Sequence, residues 1–132
     1  MAGLQVLEEQ FSAAGLHVLG FLSNDFGNQG GTPGQIDTCS DTYHVTFQQL
    51  ALDHVVDPDA QPVWQWLLAQ PNPGPSPTPE PTWNFHKYLI ARDGTLVAHW
   101  VTAVYPGDDP ADPNDSFATS PIVVAIEAEL AK

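Results

Sequence analysis

An α/β domain is what this sequence predicts, on three observations. Apolar residues recur at helical spacing near both ends of the chain, a strand-length apolar run follows the first helix, and Asp93 and Gly94 separate two extended stretches. Taken in order, residues 3–14 put Leu4, Leu7, Phe11 and Ala14 on one helical face, and Gly15 is a natural stop. Residues 16–22 (LHVLGFL) read as a short buried strand. The stretch SNDFGNQGGTPG at 23–34 is turn chemistry, with glycines free to take positive φ. Residues 34–43 read as a short helix and 44–47 as an extended piece.

Asp59 is placed to cap a helix over 61–70, with Pro62 in its first turn and Val63, Trp64, Leu67 and Leu68 on its buried side. Pro71 ends it. PNPGPSPTPEP at 71–81 excludes helix and central strand. It reads as an exposed, polyproline-like connector rather than as an SH3-type ligand, although its PxxP spacing fits both. Residues 86–92 and 95–102 flank Asp93 and Gly94 as a hairpin, which places His86 and His99 near one another across it. An acidic loop follows at 105–119. Ser120 and Pro121 then open a closing helix with Ile122, Val123, Ile126 and Leu130 along one stripe. The whole of 1–132 reads as a single domain without internal repeats.

Charge narrows the partners. Sixteen carboxylates stand against Lys87, Arg92 and Lys132, a net charge of −13. Phosphate backbones need clustered Lys and Arg, so nucleic acid is excluded as a partner, and anionic membrane surfaces with it. Such self-repulsion favours solubility and also fits a salt-rich environment. No stretch approaches the roughly 18–20 apolar residues of a membrane span. No charged segment leads into an apolar run as in a signal peptide, which says little about compartment where the start is not the native one; the expectation is a cytoplasmic protein, with the periplasm as the alternative. A single cysteine, Cys39, rules out an intrachain disulfide within this sequence.

Other constellations carry less. His17, His44, His54, His86 and His99 show no HxH or HExxH spacing, which argues against zinc. Asp108, Asp109, Asp112 and Asp115 are loosely spaced like calcium ligands but lack an EF-hand's glycine and closing glutamate. No GxSxG motif and no phosphate-binding glycine loop occurs. No cofactor is expected.

Four segments in order sharpen the fold. GLHVLGFLSNDFGNQ (15–29) resembles the strand and "FGxQ" loop of the glutathione peroxidase family, and TWNFHKYLIARDGTLVAHW (82–100) resembles its "WNFxKFLVxxDG" segment. CSDTYHVTF (39–47) and QPVWQWLLAQ (61–70) resemble the pieces between them. The resemblance runs from about Gly3 to Leu130, departing from the pattern in a shortened loop at 30–34 and in the acidic loop. It implies a thioredoxin-like fold, a central sheet flanked by helices. It also implies a thiol-dependent peroxidase that reduces hydrogen peroxide or organic hydroperoxides in oxidative-stress defence. In that chemistry a Cys or selenocysteine attacks the O–O bond, becomes a sulfenic or selenenic acid, and is restored by a thiol. The assisting Gln, Trp and Asn carry over onto Gln29, Trp83 and Asn84, neutral donors that stabilise a thiolate without reacting with peroxide. Taken singly, each would be an ordinary loop, core or turn residue.

The family's nucleophile sits in a turn opening its first helix, and MAGLQVLEEQF resembles the helical stretch just after that turn. The expectation is therefore a fragment, or a misplaced start of a longer protein, lacking the nucleophile and the interior first strand. Without that strand two unpaired edges would face each other about 10 Å apart. Unpaired buried backbone groups cost about 1–3 kcal/mol each, which would leave a monomer marginal and keeps a homo-oligomer open. Cys39 falls at or beside the position of a resolving cysteine in thioredoxin-dependent members, with Ser40 the neighbouring candidate; the plainer reading is a small buried apolar residue. As it stands the chain is expected to be inactive. The alternative is a non-catalytic binding module that kept the fold. For the reductant, a thioredoxin-type protein is favoured over anionic glutathione, because Lys87 and Arg92 are the only cations before the terminus.

Overall fold

A computed structural model of the chain describes residues 1–27, 31–74, 78–107 and 116–132. They form two compact units. The first comprises Met1–Gly20, Gly31–Leu50 and Val104–Lys132, and the second Phe21–Gly30 and Ala51–Ala103.

In the first unit, helix α1 spans Ala2–Phe11 and runs into a 3₁₀ turn, Ser12–Ala14. Gly15 stops it at φ 105°, a conformation that costs a glycine nothing. Leu7 is buried, and so is the polar Gln5, whose amide is satisfied on both sides. Its Nε2 donates to Thr46 Oγ1 and its Oε1 accepts from Thr46 N–H, both at 2.8 Å. Strand β1 is Leu19–Phe21, its last residue counted in the second unit, and is shorter than the mostly apolar run at 16–22. Helix α2, Pro33–Thr42, starts where Thr32 N–H donates to Gln35 Oε1 at 2.9 Å.

The extended piece expected at 44–47 is displaced: strand β2 is Gln48–Leu50. His44 takes φ 51°, and Val45 N–H returns to Ser40 O at 2.9 Å, so these residues form the exit turn of α2. Phe47 is still buried. Helix α4, Pro121–Leu130, follows Ser120 as expected and buries Ile122, Val123 and Ile126. Ser120 itself is wholly buried, and its hydroxyl donates to Tyr105 O at 3.3 Å.

In the second unit, helix α3 is Pro62–Leu68. Its cap is Gln61, not Asp59, because Trp64 N–H and Gln65 N–H both return to Gln61 O. Trp64 and Leu67 are buried with Val55, Ala60 and Leu96, whereas Val63, expected on the buried side, is 42% exposed. A seven-residue helix presents one narrow stripe, and Trp64 and Leu67, one turn apart, take it. Phe21 and Tyr88 meet the Trp64 ring edge-on at 5.6 and 5.2 Å.

Strands β3 (Lys87–Ile90) and β4 (Leu96–Trp100) form the expected antiparallel hairpin, pairing Tyr88 with His99 and Leu89 with Ala98. The register shifts after Leu89, so Ile90 faces Leu96 and Val97 sits in a bulge. Among the described residues the strands make two two-stranded sheets, β1 with β2 and β3 with β4, and no continuous central sheet. No described strand supplies the hydrogen bonds that would join the two pairs.

Candidate functional site

Gln29 lies outside the described residues, as do Asp108, Asp109, Asp112 and Asp115. Trp83 and Asn84 lie in the second unit, in the turn just before β3. Cys39 lies in the first unit, on α2, as a half-buried free thiol.

The turn carrying Trp83 and Asn84 is strained and tied down. Phe85 takes φ 51°, rare for a bulky residue, so the chain reverses sharply after Asn84. Thr102 Oγ1 donates to the Asn84 carbonyl, which anchors the turn to the segment leaving β4. Lys87 braces the same segment. Its ammonium donates to Val101 O at 3.4 Å and Thr102 O at 3.2 Å, and burial pushes its pKa down to about 8. Trp83 is left 48% exposed, so its indole is open to solvent.

One residue of each of two sequence motifs meets the other here. Phe26, of the segment SNDFGNQ, packs against the Trp83 ring at 6.1 Å with a tilt of 48°. Phe26 also packs on the core around Trp64, which fixes its ring beside Trp83. The preceding residue is held as well. Asp25 Oδ1 pairs with His54 Nδ1 at 2.6 Å and Oδ2 accepts from Val55 N–H at 2.7 Å.

Sequence reasoning placed His86 and His99 together, and their nitrogens lie 3.0 Å apart. Burial, with the charges of His99 and Lys87, pushes His86 down to about 4, and burial lowers His99. What it missed are Asp25, His54 and Thr102. No local pattern marks them, and each partnership joins segments remote in sequence. Among the described residues, no group of three or more His, Cys, Asp or Glu is placed to hold a metal ion. Nor, among them, is any helix long and apolar enough to cross a membrane.

Residues 1–68 match the family described as "Glutathione peroxidase". The chain is similar to the phospholipid hydroperoxide glutathione peroxidase of Sus scrofa, 32% identical over 95 residues. That alignment covers 71% of this chain and 48% of the pig protein, so the chain spans about half the length of that relative. It is also 32% identical over 108 residues to the glutathione peroxidase-like peroxiredoxin of Schizosaccharomyces pombe, covering 79% of this chain and 66% of that protein. Among solved structures it resembles "Crystal structure of Trgpx in apo form", with a TM-score of 0.61 and 25% identity. That superposition covers 95% of this chain and 69% of the other.

Proposed function

The chain belongs to the glutathione peroxidase family and has a thioredoxin-like fold; from that premise we propose that it carries part of a thiol-dependent peroxidase site, made by Gln29, Trp83 and Asn84. The observation that supports this is the packing of Phe26, three residues before Gln29 in the FGNQ motif, on Trp83 of the segment TWNF.

The chemistry those residues serve is electrostatic. A Cys or selenocysteine nucleophile is reactive as its anion, and amide and indole N–H groups stabilise that anion without adding a competing nucleophile. Its attack on a hydroperoxide splits the O–O bond, leaving a sulfenic or selenenic acid and releasing hydroxide or alkoxide. Two thiols then return the acid to the anion, forming a disulfide and water. Peroxide is the substrate and a thiol the reductant. Lys87 is half-buried and already engaged by two carbonyls, which leaves it poorly placed to recognise anionic glutathione and favours a thioredoxin-type protein.

Cys39, on α2, does not serve as the nucleophile in this reading. Residues 1–132 should therefore reduce hydrogen peroxide no faster than their Cys39→Ser variant. Joining to residue 1 the strand and cysteine-containing turn of a curated relative should confer turnover. In that fusion Trp83→Phe and Asn84→Ala should each lower turnover on the order of 10- to 100-fold, the worth of one hydrogen bond to a charge at about 1.5–3 kcal/mol. Turnover indifferent to both substitutions would sink the proposed site.

A further inference from the structure

The two hairpin histidines use every ring nitrogen, and the direction of each hydrogen bond can be worked out. Thr82 N–H donates to His86 Nδ1 at 3.4 Å, so that nitrogen carries no proton. A neutral His86 then bears its proton on Nε2 and donates it to His99 Nδ1 at 3.0 Å. That fixes the His99 proton on Nε2, which donates to Asn72 Oδ1 at 2.9 Å. Asn72 Oδ1 also accepts from Gly74 N–H at 3.0 Å. The bonds run one way, from Thr82 to Asn72, through two uncharged rings.

Packing holds this line in place. The rings of His86, His99 and Tyr88 stack on one another at 4.9 to 5.9 Å. His99 is 8% exposed, and a Cβ on Gly74 would lie only 2.4 Å from its Nε2, so the backbone at 74 presses directly on the ring. Tyr88 Oη donates to Pro79 O at 2.5 Å. The two ends of the proline-rich segment, at Asn72 and Thr82, are thus joined through the hairpin. Trp83 comes next in the chain, and beyond it the Asn84 carbonyl is held by Thr102.

We propose that His86 and His99 are positioning residues for Trp83, a neutral imidazole pair that fixes the backbone on its N-terminal side while Thr102 fixes the other. The inference rests on the reading of Trp83 as a site residue. A proton added to either ring sets N–H against N–H, at His86 Nδ1 facing Thr82 or at His99 Nδ1 facing His86. Burial, the two rings' mutual repulsion and the Lys87 ammonium all oppose that proton. The other groups facing the pair are Tyr88, from β3, and Asn72, from the connector, neither of which is anionic at neutral pH. Glu80, the nearby carboxylate of the connector, acts on Tyr88.

Imidazole nitrogen NMR on residues 1–132 tests this. At neutral pH both rings should appear as the neutral Nε2–H tautomer, with His86 titrating far below its ordinary 6.5. The Trp83 indole resonance, identified by its loss in Trp83→Phe, should move with the same acid midpoint. His86→Phe keeps a ring on Tyr88 and removes the nitrogens, and should abolish that step. An Nδ1–H tautomer on either ring, or a Trp83 step that survives His86→Phe, would overturn the proposal. The tautomers are read on the unaltered chain, so the test stands even if His86→Phe does not fold. Failure of the peroxidase reading would show in the fusion assay and leave these resonances as they are.

Discussion

Asp25 ties together segments that sequence keeps 29 residues apart. Its side chain is 8% exposed, against 58% for His54. Burial pushes its acid up, but hydrogen bonds from Val55 N–H, His54 and Ser23 outweigh this and hold it below 3.8. The same bond, and then the Asp25 charge, raise His54 above 6.5. The two signs differ. Asp25 contributes stability that is present above 3.8 and lost as pH falls through its lower folded value. His54 contributes stability that is present below 6.5 and lost as pH rises through its raised value. The stability difference between the parent chain and His54→Gln, from denaturant melts, should thus be largest near about pH 5–6 and shrink by about pH 9. A difference that stays constant to alkaline pH would remove the ion pair as its cause. Neither residue was legible as a partner, because an aspartate in a turn and a histidine in a loop carry no pattern that pairs them. Trp83 and Asn84 stand out in the sequence only through their motif, and the contact of Phe26 with Trp83 shows only in three dimensions.

At the scale of elements, the hairpin shows what local chemistry settles alone. Gly94 N–H returns to Ala91 O at 3.0 Å, Ala91 N–H bonds Thr95 O at 2.9 Å, and Asp93 Oδ1 accepts from Thr95 N–H at 2.9 Å. Gly94 takes φ 88°, and nothing lies within 4 Å of where its Cβ would stand. Gly94→Ala should therefore cost about 1–2 kcal/mol from backbone conformation alone. Gly94→Asn should cost less, since asparagine tolerates this region. Equal losses for the two in thermal melts would show that the turn is not what they report. Helices α1 and α4 were legible for a similar reason, their stripes being set by 3.6-residue spacing. Strand β2 was not, because a left-handed His44 extends the exit of α2 into residues that spacing alone assigns to a strand. Val63 was misplaced because apolar character does not say which turn of a short helix meets the core.

For the whole molecule, charge and connectivity matter most. Sixteen carboxylates against three cations make repulsion a standing cost to both compact units. The melting temperature should rise from low salt to about 1 M NaCl, as the screening length falls from tens of Å to about 3 Å. A flat or falling curve would show that repulsion does not limit stability. Thioredoxin-like membership was visible in four ordered segments, since motif spacing survives where contacts are invisible. The order of helices and strands, the family and the acidity could all be read from the residues alone, being properties of near neighbours in the chain or simple sums. It took the folded chain to establish that Phe26 rests on Trp83, that Thr102 holds Asn84, and that two histidines bridge Asn72 and Thr82. Those contacts join residues up to dozens of positions apart, and packing and hydrogen-bond geometry, rather than spacing, select them.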